Sequence, residues 1–175
     1  MSKERKNIIV TGMPRTGKTT LVENSISLVA EKQGFLTKEI RGKDNERVGF
    51  ESITADGACA VIAHVNMPSP HKVGKYGVDV SAFDALLYGL FNFEEKDLLY
   101  IDEIGQMELF SALFRDLVLV YLNSPNQLIA TLTSVYSDDF VKQIRQRNDI
   151  VVFELTTQNR EIVGQEINRL FKRQD

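Results

Sequence analysis

A chain of 175 residues is long enough to bury roughly 70% of its unfolded surface around a single core, so one domain spanning 1–175 is expected. A net charge of −3 with interspersed signs leaves no basic footprint for nucleic acid and no like-charged block for an interaction tail. The lone cysteine, Cys59, excludes a disulfide framework within the chain, and its apolar neighbours from Ala58 to Ala63 predict a small buried hydrophobe.

At the N-terminus, polar residues precede only Ile8, Ile9 and Val10, too few for the apolar region of a signal peptide. No stretch approaches transmembrane length, so a cytoplasmic protein without a membrane partner is expected. These three residues read as a short strand. It runs into Gly12, Met13, Pro14, Arg15, Thr16, Gly17, Lys18, Thr19 and Thr20, and then into Leu21, Val22, Ile26, Leu28 and Val29 at helical spacing. This is a phosphate-binding loop. Its glycines let backbone N–H groups curl around a polyphosphate, and the helix N-terminus adds positive potential. Lys18 neutralises the β- and γ-phosphates, and the Thr19 hydroxyl suits Mg²⁺. All nine loop residues are candidate nucleotide contacts, with Lys18 as a catalytic group.

The first helix is expected from about Thr19 to Gln33, with Gly34 as its stop. Phe35 to Arg41 then alternates like a half-buried strand. Arg47 to Ile53 and Ala58 to Val65 look extended and are joined by Asp56-Gly57, a strong hairpin signal. An inserted antiparallel meander follows. Asn66 to His71 is a loop leading to Gly74–Val80, and Ser81 with Asp84 has capping-box spacing for a helix reaching Tyr88 or Leu90. From Leu98 onward, strands at 98–101, 127–132 and 150–155 alternate with helices at 109–123, 137–147 and 159–172. That alternation implies a mostly parallel sheet flanked by helices, which together with the phosphate-binding loop makes an α/β P-loop fold the expectation. His64 and His71 stand apart from any metal-ligand partner, so no zinc site is expected.

Asp102 and Glu103 end the apolar strand that starts at Leu98, and ligands bind at the carboxyl ends of strands in such sheets. In this Walker B arrangement Asp102 organises Mg²⁺ together with Thr19, and Glu103 orients or deprotonates the attacking water. An acid placed directly after the aspartate favours water as the phosphoryl acceptor.

Asp102-Glu103-Ile104-Gly105-Gln106-Met107-Glu108-Leu109-Phe110 resembles the Asp-Glu-Ile-Gly-Lys-Met-Glu-Leu-Phe signature of the cancer-related nucleoside-triphosphatase family, small P-loop NTPases also found in thermophilic prokaryotes. Gly34 to Arg41, Arg47 to Phe50, Gly74-Lys75-Tyr76, Ile144 to Asp149 and Asn159-Arg160 match further family segments in order. The resemblance implies Mg²⁺-dependent hydrolysis of several nucleoside triphosphates to diphosphate and phosphate, with little base discrimination. Two departures stand out. The family loop usually reads Gly-Pro-Pro-Gly-x-Gly-Lys-Thr-Thr, whereas this chain carries Met13 and Arg15, and the family's lysine after Ile-Gly is Gln106. Both changes fall where charge at the phosphates is set. Arg15 is therefore a candidate catalytic group that replaces the charge missing at Gln106.

Asn159 and Arg160 open the last helix, a position from which a base can be touched or the helix capped. Arg41, Arg47 and Lys75 are further basic candidates on the inserted strands, and Tyr76 is read as core. Two other functions remain open. One is a kinase of a nucleoside or small metabolite, with the meander as acceptor site; the other is a nucleotide-controlled binding module. A monomer acting on nucleoside triphosphates is expected, and the sequence points to no particular protein partner.

Overall fold

The computed structural model describes residues 7–172. Its strands are β1 (Asn7–Thr11), β2 (Lys32–Arg41), β3 (Arg47–Thr54), β4 (Cys59–His64), β5 (Lys72–Val73), β6 (Tyr76–Val78), β7 (Leu98–Ile104), β8 (Leu128–Leu132) and β9 (Ile150–Glu154). The helices are α1 (Lys18–Ile26), α2 (Val80–Leu87), α3 (Ala112–Asn123), α4 (Asp139–Arg145) and α5 (Arg160–Lys172). All nine strands join one sheet in the order β5-β6-β4-β3-β2-β7-β8-β1-β9. The half from β2 to β9 is parallel, with Phe35 beside Ile101, Ile101 beside Ala130, and Ile9 beside Ala130 and Val152. From β2 outward the pairing is antiparallel, so the meander widens the sheet instead of forming a separate layer.

Strand alternation explains the two cores. Side chains of β1 point alternately to opposite faces, and Ile9 belongs to one cluster while Ile8 and Val10 belong to the other. The first cluster packs Phe35, Leu99 and Ile101 against Phe83 of α2, Phe114, Leu117 and Tyr121 of α3, and Val141 of α4. Phe35, Phe83 and Phe114 meet with ring centroids 5.4–5.9 Å apart. On the opposite face Leu21, Val22 and Ile26 of α1 pack with Val163 and Ile167 of α5. Ile8, Ile9, Ile101, Ile129 and Ala130 are fully buried, as expected for strands covered on both faces.

Several elements depart from the expected boundaries. Helix α1 stops at Ile26 because Lys32 must already pair with Leu98 of β7, and Leu28 is left 93% exposed. Gly34 does not stop the helix but lies inside β2, where a Cβ would sit 1.9 Å from the carbonyl oxygen of Tyr100. Asp79, not Ser81, caps α2, accepting from the Ala82 N–H at 2.9 Å. The reason is that the N–H of Asp79 is still bonded to the Ile62 carbonyl at 2.8 Å, making Asp79 the hinge between sheet and helix. Asp84 instead accepts from the Ser111 hydroxyl. The helix expected from Leu109 divides into a short 3₁₀ turn (Glu108–Phe110) and α3, with Ser111 capping the second. Beyond the loop expected over Asn66–His71, Gly74 and Lys75 turn a small β5–β6 hairpin. Cys59 is exposed, not buried, because β4 begins at the tip of the β3–β4 hairpin beside the exposed Asp56–Ala58 turn.

Candidate active site

The phosphate loop leaves β1 at Gly12 and enters α1 at Lys18, and it is fastened from several sides. Leu155 N–H donates to the Thr11 carbonyl at 2.7 Å, and the Ser134 hydroxyl donates to the Gly12 carbonyl at 2.8 Å. The Thr16 hydroxyl bonds the Met13 carbonyl at 2.9 Å. From behind, Arg160 Nε donates to the Thr16 carbonyl at 2.6 Å, with its guanidinium lying close over Gly17. Lys18 Nζ donates to the carbonyls of Gly12 and Met13 at 2.9 and 3.1 Å, leaving one of its three protons for a phosphate oxygen. Arg15 holds φ +66, the left-handed conformation that suits the glycine found at this place in the resembled loop. The arginine therefore leaves the loop's path unchanged and carries a cation out from it.

β8 lies between β1 and β7, so the loop and the acidic pair spring from strands about 10 Å apart, two strand spacings. Asp102 is buried; its Oδ1 accepts from the Thr131 hydroxyl of β8 at 2.7 Å, and its Oδ2 has no hydrogen-bond partner. The Thr37 hydroxyl of β2 donates to the Asp102 carbonyl at 2.5 Å, tying the meander's first strand to the acidic pair. Desolvation pushes the Asp102 carboxyl above its ordinary pKa, opposed by the Thr131 hydrogen bond, the nearby Thr19 hydroxyl and the charge of Lys18. Half-buried Glu103 is likewise raised, first by desolvation and then by the charge of Asp102. Behind it, buried Glu108 is pushed up to about 8 by desolvation and the charge of Glu103. The two glutamates flank Gly105, where a Cβ would lie 2.9 Å from Glu108 Oε2 and 3.4 Å from Glu103 Oε1.

A cavity of about 560 Å³ opens above these groups. Among the expected residues, Gly12, Pro14, Arg15, Gly17, Lys18, Thr19, Asp102 and Glu103 line it. Thr37, Lys38, Glu39, Arg47 and Phe50 of β2 and β3 form the wall opposite the loop. Met13 stands exposed beside Ser134, Thr16 is buried within the loop with Arg160 behind it, and Thr20 and Gln106 are exposed away from the lining. Asn159 bonds back to the Glu154 carbonyl and the Thr156 N–H, closing the β9–α5 loop. Arg41 pairs with Glu39 outside the lining, Lys75 lies over the ring of Tyr76, and Tyr76 is buried as expected. Thr37, Thr131, Ser134 and Glu108 were missed. A polar Thr131 amid Leu128, Ile129, Ala130 and Leu132 was a usable signal, because a strand buried on both faces seldom carries a hydroxyl without a partner.

Among the described residues no group of three or more His, Cys, Asp or Glu could hold a metal, and no helix is long and apolar enough to cross a membrane. Comparison with known proteins shows the family and the fold. A family model for NTPase matches residues 7–168. The nucleoside-triphosphatase THEP1 of Thermotoga maritima is 41% identical over 167 residues, covering 94% of this chain and 95% of that protein. The crystal structure of THEP1 from the hyperthermophile Aquifex aeolicus superposes with a TM-score of 0.85 at 36% identity, covering 94% of this chain and 98% of that one. The solution structure of a human cancer-related nucleoside triphosphatase gives 0.82 at 29% identity, covering 97% and 99%.

Proposed function

Since the chain belongs to this NTPase family and is a nucleoside-triphosphatase, we propose that it hydrolyses ATP, GTP, CTP and UTP alike to diphosphate and phosphate, with Mg²⁺ and in the cytoplasm. The observation that carries hydrolysis is Glu103, a half-buried carboxylate of raised pKa that shares a cavity with Lys18 and the phosphate loop. A base is most useful when its pKa approaches the working pH. In this reading the loop N–H groups and Lys18 hold the β- and γ-phosphates. Glu103 takes a proton as the water oxygen bonds to the γ-phosphorus, and the bridging oxygen leaves with the diphosphate. Arg15 adds positive charge at the cavity mouth.

Support for Mg²⁺ comes from the donor set. Asp102 Oδ2 is a buried oxygen without a partner, and Thr19 supplies a hydroxyl at the same cavity. Hard oxygen ligands, few in number, suit a cation that keeps several waters and shares substrate phosphates. When bound, it would neutralise charge on the β- and γ-oxygens. Broad base use follows from a site whose recognisable chemistry is all at the phosphates.

Phosphate release from the four triphosphates and their diphosphates, with and without Mg²⁺, tests the reading. Values of kcat/KM for ATP and GTP are expected within about tenfold. A preference above about a thousandfold overturns broad specificity, and transfer to a nucleoside in place of water overturns hydrolysis.

A further inference from the structure

The loop and the acidic pair cover one side and the floor of the cavity, and the opposite wall carries a cation with no assigned role. Arg47 opens β3, two strands beyond β7 on the side away from the loop, and it lines the same cavity as Lys18 and Glu103. Its guanidinium is fixed in place. Nε donates to the Tyr76 hydroxyl at 3.0 Å, and that hydroxyl donates in turn to the Arg47 carbonyl at 3.3 Å. Nη1 donates to Glu39 Oε1 at 2.9 Å, and the other oxygen of Glu39 is held by Arg41. The guanidinium carbon lies 5.1 Å from the ring centroid of Phe50 and 5.7 Å from that of Tyr76. Two of five N–H donors are used, and Nη2 meets no acceptor among the described residues.

The other cations lining the cavity are placed differently. Lys18 is folded onto the loop carbonyls, Lys38 lies 3.5 Å from Glu23, and Arg15 rises from the exposed loop without a hydrogen bond among the described residues. Only Arg47 is anchored by side chains of two other strands on the far wall. In phosphoryl transfer, negative charge is spread over three equatorial oxygens of the γ-phosphoryl group, and the loop reaches them from one side. A donor held in position beforehand costs no reorganisation when that charge develops.

We propose that Arg47 is a catalytic residue, its free guanidinium edge bonding the γ-phosphoryl oxygens that the loop does not reach; this rests on the hydrolase reading above. Glu39, Tyr76 and Phe50 position it. A tether that only stiffened the hairpin would not discriminate between ground and transition states, and that difference is what the test measures.

Three variants are compared with the parent for Mg²⁺-ATP turnover, ADP affinity, and affinity for Mg²⁺-ADP with aluminium fluoride, a mimic of the transferring phosphoryl group. Arg47→Ala is expected to lose roughly 10³-fold in kcat and a comparable factor for the mimic, with ADP affinity within about threefold. Arg47→Lys keeps the charge without the planar fork and falls between. Arg41→Ala removes the other cation on Glu39 and stays within about twofold of the parent. Arg47→Ala turnover within fivefold of the parent overturns the proposal. So does an equal loss for ADP and the mimic, or a loss in Arg41→Ala matching that in Arg47→Ala. A parent that releases no phosphate from any triphosphate instead refutes the hydrolase reading.

Discussion

Replacing Glu108 by glutamine isolates the buried carboxyl that stands behind the acidic pair. In the folded chain this group keeps its proton up to about pH 8, against an ordinary value of 4.5, because burial and the charge of Glu103 disfavour its ionised form. Between those two pH values the folded chain binds one proton more than the unfolded chain, so stability falls as pH rises. The contribution is fully present below about pH 4.5 and is lost as pH passes about 8. At 1.36 kcal/mol per pH unit, the full gap corresponds to about 5 kcal/mol. Glutamine has the same shape and keeps an oxygen to accept from the N–H groups of Gly105 and residue 108, but it does not titrate. Urea unfolding at pH 5, 6, 7, 8 and 9, without nucleotide or Mg²⁺, should show the parent declining by several kcal/mol more than Glu108→Gln. Asp102 and Glu103 leave a residual slope in both proteins, so the difference between the curves is the quantity of interest. Curves that run parallel within about 1 kcal/mol would refute a neutral, buried Glu108.

Lys18→Ala should abolish turnover and weaken triphosphate binding while the chain stays folded, as read by phosphate release and circular dichroism; parent-like hydrolysis would contradict the loop assignment. Glu103→Gln should keep nucleotide and Mg²⁺ affinity and lose roughly 10²-fold or more in kcat in single-turnover assays. An unchanged rate with a shifted Mg²⁺ requirement would make Glu103 a metal ligand instead. Gly34→Ala should cost at least about 2–3 kcal/mol in urea unfolding, because its φ of +151 and the Tyr100 carbonyl at 1.9 Å leave a Cβ no room. A loss under 1 kcal/mol would mean that β2 and β7 separate locally.

The parallel half of the fold was legible because its elements follow local rules: apolar runs at 98–101 and 127–132, periodic helices between them, and a loop whose residue types answer one chemistry. Boundaries were harder where a distant partner decides them. Gly34 resembles a helix stop in sequence, and only the approach of Tyr100 on β7 shows why a glycine stands in a strand. Asp79 caps α2 because Ile62 still holds its N–H, a contact across 17 residues that no capping pattern contains. The acidic pair was found from its place after an apolar strand, yet the hydroxyls that hold it, Thr37 and Thr131, come from two other strands and share no spacing with it. Arg47 could be named as a basic strand residue, but its fastening by Glu39 and Tyr76 depends on a hairpin that returns Tyr76 to its side.

That the far wall and the floor of the cavity are hydrogen-bonded members of one sheet also bears on how such a chain can diversify. The Thr54–Ala58 turn sits at the tip of the β3–β4 hairpin, where Ala55 to Cys59 are exposed and a side chain at Gly57 would meet nothing within 4 Å. Insertions there would lengthen the outer strands like a ruler extended from its free end, leaving the spacing between Arg47 and Glu103 set by the pairing of β3, β2 and β7. New surface for a partner can thus be grown without retuning the chemistry.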